Sequence, residues 1–306
     1  MNLPVLTSEL EAHLKDRALW LRRTVLEMAT RAKSGHITTA FSQAEILIAL
    51  YHGGWLKHDP ADLKWPERDR FILSKGQGGV GLYPVLADRG FFPRTELDDF
   101  AGVGNSLGVH AEWNVPGIEI VSGSLGHGLP IATGLATALK RAGNPAKIVV
   151  LLGDAELYEG SNWEAMLYAA QAKLGNIICI VDRNGLGTIG YTDGRARHGA
   201  PVDGPDLGDV GEKFYQFGFN HYTLHDGNDY AELWSGLEWA WSSSSSQPKV
   251  IVAKTKKGKG CTVFEDKKGW HYRTASGDDL VSCRRDLGLP DIGPSGPVSE
   301  LHAGGY

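Results

Sequence analysis

Four short stretches of the chain are almost continuously apolar and rich in β-branched residues. These stretches are DRFILS at 69–74, KIVVLLGD at 147–154, NIICIVDRN at 176–184 and KVIVAKT at 249–255. A strand with one solvated face would alternate apolar and polar residues, and these stretches do not. They are therefore predicted to be parallel β-strands that are covered on both faces.

Helical patterns lie before and between the predicted strands. From Ser8 to Lys33, apolar residues recur at spacings of three and four, which is typical of a long amphipathic helix. Ser42, with Glu45 three residues later, resembles a capping box that would begin a second helix. Further helices are predicted at about 77–88, 127–141, 159–173 and 228–241. Alternating strands and helices predict an α/β fold, a doubly wound parallel sheet flanked by helices.

The chain shows no internal linker, so residues 1–287 are predicted to form one domain. Residues 288–306 are rich in glycine and proline and contain little apolar material. Such a composition favours a flexible tail or an arm that contacts a partner.

Composition excludes several classes of protein. A chain of 306 residues with 42% hydrophobic content is long enough to bury a large core. The formal net charge of −5 argues against a nucleic-acid or anionic membrane partner. The three cysteines form no CxxC pair, which argues against a disulfide framework or a zinc site. No signal sequence and no stretch of ~20 apolar residues is evident, so a soluble, cytoplasmic protein is predicted.

Two predicted strands end on polar side chains. Asp154 follows the second strand and Asn184 follows the third. Ligands of open α/β sheets bind outside the carboxyl ends of the strands, and carboxylate and amide oxygens suit Mg²⁺. One interpretation is therefore a magnesium site that also receives the main-chain carbonyl of Leu186. The alternative is that both residues are ordinary turn formers at strand ends.

A glycine-rich stretch precedes one of the predicted helices. Gly123, Gly126 and Gly128 would allow a ligand to approach the backbone near a helix N-terminus. The stretch is neither a GxGxxG dinucleotide motif nor a GxxxxGK[ST] phosphate loop. By itself it is compatible with any α/β enzyme that binds a phosphate group.

An ordered series of short motifs is more specific. The series runs SGH at 34–36, LSKGQ at 73–77, VH at 109–110, GSLGHG at 123–128, GDAELYEG at 153–160, VDRNGL at 181–186, KGKG at 257–260 and WH at 270–271. Together these motifs resemble the amino-terminal half of transketolase, especially the split enzymes whose two halves are separate chains. The resemblance implies the fold of thiamine diphosphate enzymes, with thiamine diphosphate and Mg²⁺ as cofactors.

The resemblance also implies roles for individual residues. Asp154, Asn184 and the carbonyl of Leu186 match the Mg²⁺ ligands of the family. The residues that match cofactor contacts are Gly123, Leu125, Gly153, Asp154, Ala155, Glu159, Asn184 and His271. The residues that match catalytic positions are His36, Gln77, His110, Glu159 and His271. The histidines would surround the reacting carbonyl, and Glu159 would meet the partner chain.

Three positions depart from the pattern of the family. Gln77 stands where the family usually has histidine, and glutamine cannot change its charge near neutral pH. His127 replaces the usual glutamine, and Ala155 replaces the usual glycine beside the diphosphate. One explanation for Gln77 and His127 is neutral substitution at positions that require only a polar side chain. The other explanation is a changed acceptor or donor substrate.

The family's pyrimidine-facing glutamate belongs to a second domain. The resemblance therefore implies a separate carboxy-terminal subunit, in a two-plus-two heterotetramer that acts on small-molecule substrates. The predicted activity is transfer of a two-carbon ketol unit from a ketose, or a ketose phosphate, to an aldehyde or another acceptor. The alternatives are a non-catalytic cofactor-binding or regulatory chain and an unrelated phosphate-binding enzyme of similar fold.

Overall fold

The computed structural model describes residues 3–194, 205–291 and 296–302. The strands are β1 (Arg70–Leu73), β2 (Ile148–Gly153), β3 (Ile177–Arg183), β4 (Leu186–Gly187), β5 (Gly190–Tyr191), β6 (Asn220–Leu224) and β7 (Lys249–Lys254). Five of them form one parallel sheet in the order β1–β2–β3–β7–β6, and β4 pairs with β5 in a short antiparallel hairpin. The four predicted strands are confirmed, each within one residue of its expected ends.

Helices connect the strands and cover the sheet. They are α1 (Ser8–Ala32), α2 (Ile37–Ser42), α3 (Ala44–His52), α4 (Gly79–Asp88), α5 (Gly128–Arg141), α6 (Gly160–Gln171), α7 (Val210–Gln216), α8 (Tyr230–Ser242) and α9 (Gly277–Asp286). Short 3₁₀ turns at Gly76–Gly78 and Ala155–Tyr158 follow β1 and β2. Among the described residues, no helix combines the length and the apolar character that crossing a bilayer requires.

Alternate residues of each central strand face opposite layers of the molecule. Val149 and Leu151 pack with α1, α3, α4 and α8, whereas Val150 and Leu152 pack with α5, α6 and α7. This two-sided burial explains the continuous apolar runs of the sequence and confirms the doubly wound α/β fold. The carboxyl ends of the strands remain open between the two helix layers.

The capping box predicted at Ser42 is wrong. Ser42 is the last residue of α2, and Gln43 caps α3 without a side-chain hydrogen bond. The hydroxyl of Ser42 donates to Asp182 at 2.6 Å, and Glu45 forms a buried ion pair with Arg22 at 2.7 Å. Tertiary partners therefore take both side chains that the local pattern assigned to a cap.

Part of the glycine- and proline-rich tail is packed. Val298 and Leu301 are fully buried, and the indole Nε1 of Trp20 donates to the carbonyl of Leu301 at 3.0 Å. In residues 296–302 the tail thus lies against α1, so this part of it is not the flexible tail that was one of the two predictions. Ser299 donates to the carboxylate of Asp98 from its amide at 3.0 Å and from its hydroxyl at 2.6 Å, and Arg94 donates to the carbonyl of Leu301 at 2.6 Å. Residues 292–295 and 303–306 lie outside the described residues.

Candidate active site

Asp154 lies directly after β2, where its carboxylate anchors the loop that follows β3. Its Oδ2 accepts hydrogen bonds from the amide of Gly185 at 2.7 Å and the hydroxyl of Thr192 at 2.8 Å. Arg183 donates to the same oxygen at 3.2 Å. The other oxygen, Oδ1, accepts from the amide of Ala155 at 2.8 Å. Asp154 is 1% exposed, so this is a buried carboxylate in which Oδ1 keeps acceptor capacity.

Asn184 lies one residue beyond β3 and is also buried. β2 and β3 are adjacent parallel strands with Gly153 opposite Asp182, which brings Asp154 and Asn184 to the same edge of the sheet. The side-chain Oδ1 of Asn184 accepts from the amide of Leu186 at 3.2 Å. Leu186 itself is buried at the start of β4. The three residues predicted to hold a metal therefore lie together.

Two buried lysines lie near the ends of the strands. Lys75, just after β1, forms an ion pair with Asp182, and Lys257, after β7, donates to the hydroxyl of Thr39 at 3.3 Å. Burial and the neighbouring Lys75 lower the pKa of Lys257 to about 8. Asp182 neutralises the charge of Lys75. The ammonium of Lys257 has no such carboxylate partner among the described ion pairs, and its hydrogen bond to Thr39 is long.

Three histidines form a cluster beside these lysines. The ring of His36 lies 5.5 Å from that of His110 and 5.6 Å from that of His271, measured between centroids. Burial, together with the nearby cations, lowers the pKa values of His36 and His271 to about 3. Both imidazoles are therefore neutral at physiological pH. The Nδ1 atoms of both rings are buried without a hydrogen-bond partner among the described residues.

A buried glutamate ties together three of the sequence motifs. Glu156 accepts hydrogen bonds from the amides of Gly126 at 2.9 Å and Gly153 at 3.1 Å, and from the hydroxyl of Ser74. Burial raises the pKa of Glu156, while the hydrogen bonds act in the opposite direction. The glutamate thus holds the glycine-rich stretch against the ends of β1 and β2.

The glycine-rich stretch leaves open backbone near this edge. Gly126 has a φ of +81°, and a Cβ there would lie 2.5 Å from that of Glu159. At Gly123 an added Cβ would meet no heavy atom within 4 Å, so the backbone there is accessible to a ligand or a partner. Leu125 lies between them and is half-buried.

Ala155 packs against the loop after β3. A Cβ placed on Gly187 would lie 2.6 Å from the methyl group of Ala155, so glycine at 187 makes room for the alanine. The pair explains how the chain tolerates a methyl group at position 155.

Glu159 and Gln77 lie at the margin of this arrangement. Glu159 is exposed at the N-terminus of α6, with its Cβ beside Gly126. Gln77 is half-buried in the turn after β1, and the carbonyl of the preceding Gly76 accepts from the amide of Ala111, next to His110. The backbone at Gln77 therefore lies close to the segment that carries His110, and Glu159 lies at the surface.

Sequence reasoning assigned no role in the site to four residues that the structure places there, Ser42, Lys75, Glu156 and Asp182. Lys75 and Glu156 lie within the motifs LSKGQ and GDAELYEG. Their position as charged residues inside these motifs was the available signal. Ser42 gave no such signal because its partner is 140 residues away in the chain.

Known proteins resemble this chain along most of its length. The chain matches the family "Transketolase, thiamine diphosphate binding domain" over residues 15–294. It is 39% identical over 276 residues to an apulose-4-phosphate transketolase subunit of Actinobacillus succinogenes, covering 90% of this chain and 95% of that protein. It is 35% identical to a 6-deoxy-6-sulfo-D-fructose transketolase subunit of a Clostridium species, covering 86% of this chain and 92% of that protein.

A solved structure shares the same fold. The transketolase of Campylobacter jejuni superposes with a TM-score of 0.82 and 28% sequence identity. The match covers 96% of this chain but only 44% of that transketolase, whereas the relatives named as subunits are covered almost completely. The chain belongs to the transketolase family of transferases and corresponds to its amino-terminal, thiamine diphosphate-binding domain, with the length of the relatives named as subunits.

Proposed function

We propose that this chain is the diphosphate- and magnesium-binding subunit of a two-component transketolase-like enzyme. Together with a carboxy-terminal subunit it transfers a two-carbon ketol unit from a ketose, or a ketose phosphate, to an aldehyde or another acceptor. The assembly is a two-plus-two heterotetramer, and its location is the cytoplasm. The relatives named as transketolase subunits support the division into two chains.

The observation that carries this proposal is the grouping of oxygen ligands, cations and neutral histidines at one edge of the sheet. Asp154 and Asn184 each present a side-chain Oδ1 that accepts one main-chain hydrogen bond. An oxygen with a remaining lone pair suits Mg²⁺, which prefers a few protein oxygens together with phosphate and water. The donor set therefore fits a magnesium–diphosphate group, with the carbonyl of Leu186 as the third protein ligand.

The remaining residues fit the other parts of the cofactor and the substrate. Bound thiamine diphosphate supplies a nucleophilic carbon that accepts the ketol fragment. Lys257 neutralises diphosphate charge, because its ammonium is buried and weakly paired. His36 and His271, neutral at pH 7, both accept and donate hydrogen bonds and so orient substrate hydroxyls and move protons among them. Glu159 lies where a partner chain would approach the site.

Thermal melts of the reconstituted pair test the cofactor assignment. Thiamine diphosphate at a hundred times its dissociation constant, with Mg²⁺, should stabilise the folded state by about 2.7 kcal/mol. EDTA should remove most of that stabilisation. An unchanged melting temperature with saturating cofactor and metal would contradict the assignment.

The charge of Lys257 should make cofactor binding depend on pH. Its pKa is lowered to about 8, so the ammonium is protonated below that pH and attracts the diphosphate, and it loses its proton above. The Kd of thiamine diphosphate should therefore rise with pH above 8, by up to about tenfold per unit. In Lys257→Gln, the Kd at pH 7.5 should rise roughly 10- to 100-fold and lose this pH dependence.

Lys249 provides the matched control for this titration. Burial and the nearby Lys147 lower its pKa to about 8 as well. Lys249, however, is the first residue of β7 and so lies at the end of the strands opposite to the site. Lys249→Gln should leave the pH dependence of cofactor binding unchanged. If Lys249→Gln removes the dependence and Lys257→Gln retains it, the role of Lys257 is wrong.

Gln77→His should change the pH profile of the reaction and leave cofactor binding alone. Histidine titrates near pH 6.5, whereas glutamine does not, and position 77 lies next to His110. We expect the Kd of the cofactor to stay within about threefold, while kcat/KM shifts its pH profile or its preference between substrates. Loss of cofactor binding in this variant would show that position 77 serves the diphosphate instead.

A further inference from the structure

Asp182, in β3, is a fully buried carboxylate with four side-chain donors. The hydroxyl of Ser42 and the ammonium of Lys75 donate to Oδ2, and the hydroxyl of Thr255 donates to Oδ1. The fourth donor is Nδ2 of Asn184, at 3.2 Å from Oδ2. Its buried ion pair with Lys75 and the three other donors make both carboxylate oxygens of Asp182 hydrogen-bond acceptors.

The side-chain amide of Asn184 has one favourable orientation in this setting. Its Nδ2 donates to Asp182 and, at 3.3 Å, to the hydroxyl oxygen of Ser42, whose own hydrogen has Asp182 at 2.6 Å and the carbonyl of Thr39 at 3.0 Å as acceptors. Rotating the amide by half a turn would place Oδ1 against a carboxylate and a hydroxyl oxygen, both acceptors. The observed orientation instead leaves Oδ1 beside the amide of Leu186, on the side of the predicted metal ligands.

We propose that Asp182 is a positioning residue for Asn184, whose amide it holds with Oδ1 directed to the bound metal. This role rests on the proposed function, in which Asn184 is a magnesium ligand. Asp182 does not contact the metal itself. Its supports come from three separate segments, the end of α2, the end of β1 and the residue after β7, so the amide is locked by the tertiary fold.

Titration of Mn²⁺ into the reconstituted pair with saturating thiamine diphosphate, followed by electron paramagnetic resonance, tests the proposal. Substituting a residue that orients a metal ligand typically costs 10- to 100-fold in metal affinity. We expect Asp182→Asn to raise the Kd of Mn²⁺ by about that factor. Mn²⁺ affinity within twofold of wild type in this variant would overturn the proposal.

Asp69→Asn is the matched control. Asp69 is also a buried aspartate, and it accepts from the amides of Lys57 at 2.9 Å and Lys147 at 2.8 Å. It directly precedes β1 and so lies at the amino ends of the strands, opposite to the site. The substitution should lower the melting temperature without changing the Kd of Mn²⁺. Equal losses of metal affinity in the two variants would mean that destabilisation alone explains the effect of Asp182→Asn.

A double-mutant cycle separates positioning from a direct role. Asn184→Ala removes the ligand that Asp182 orients, so adding Asp182→Asn to it should cost less than about twofold further affinity. Full additivity of the two losses would contradict positioning. Failure of the proposed function has a different signature, because wild type itself would then show no metal-dependent cofactor binding.

Ser42→Ala gives a milder test that keeps the Lys75–Asp182 ion pair. It removes one acceptor for Asn184 and one donor to Asp182, and should raise the Kd of Mn²⁺ by about three- to tenfold. This variant decides the matter if Asp182→Asn does not fold. An unchanged Mn²⁺ affinity in Ser42→Ala would then count against the proposal.

Discussion

Asp154→Ala is expected to weaken metal-dependent binding of thiamine diphosphate by at least about 100-fold. The substitution removes a proposed magnesium ligand and also the acceptor for Gly185 and Thr192, which anchors the loop after β3. Arg183 would remain beside the site without its carboxylate partner, 3.2 Å away in the native chain. Arg183 would keep its hydrogen bonds to Thr192, so ligand loss, loop release and the loss of this ion pair of a half-buried cation act in the same direction.

Calorimetric titration of the cofactor with Mg²⁺ and with EDTA measures this effect. Asp154→Asn is the control for shape, because it keeps an oxygen that accepts from Gly185 while removing the charge. We expect its affinity to lie between those of wild type and Asp154→Ala. Cofactor affinity within about threefold of wild type in a folded Asp154→Ala variant would refute the metal site.

The second large effect is expected from the partner chain. Without it, the rate of ketol transfer should fall below about 1% of that of the pair, because general acid–base groups typically contribute 10²- to 10⁴-fold. Under the proposed function the other residues of the site belong to the carboxy-terminal subunit, in keeping with the relatives that are named as transketolase subunits. The two chains together are expected to supply all the residues of the active site and so to restore ketol transfer.

An exposed apolar surface on α5 and α6 suits this partner. Ile131, Leu167 and Tyr168 are 40%, 59% and 49% exposed, and we call these three residues the α5–α6 face. Glu159 is the N-cap residue of α6, the helix that carries Leu167 and Tyr168. Apolar side chains exposed on packed helices beside a binding site are typical of an interface between subunits.

Leu167→Asp therefore should weaken association with the partner by about tenfold or more and lower activity at limiting partner concentration. Tyr215→Asp on α7 is the control, since Tyr215 is similarly exposed, at 57%, outside the α5–α6 face. Sedimentation or interferometry with the partner measures both. Equal binding by wild type and Leu167→Asp would place the interface elsewhere.

The strands of the sheet and the polar ends of β2 and β3 could be predicted because their causes are local. A run such as IVVLL needs two covered faces, and Asp154 follows it directly in the chain. β6 was not predicted, because its NHYTL sequence lies at an edge of the sheet and is mostly half-buried. The strand is defined by its parallel pairing with β7, which the apolar pattern of the sequence does not indicate.

The hydrogen-bond network of the site could not be predicted in the same way. Asp182 receives donors from Ser42, Lys75 and Thr255, which are 140, 107 and 73 residues away in the chain. No local pattern indicates that these four side chains meet. The sequence resemblance identified residues that match ligand contacts, whereas the residues that orient those contacts emerged only from the packing of separate segments.

Ketol transfer measured with this chain alone, with its partner alone and with both is the most direct test of the central claim. All three reactions contain thiamine diphosphate, Mg²⁺, a ketose donor and an aldehyde acceptor. A two-chain active site predicts transfer only when both proteins are present. Full turnover by the isolated chain would contradict the split enzyme, and no transfer by a pair that binds the cofactor would contradict catalysis and favour a non-catalytic cofactor-binding chain.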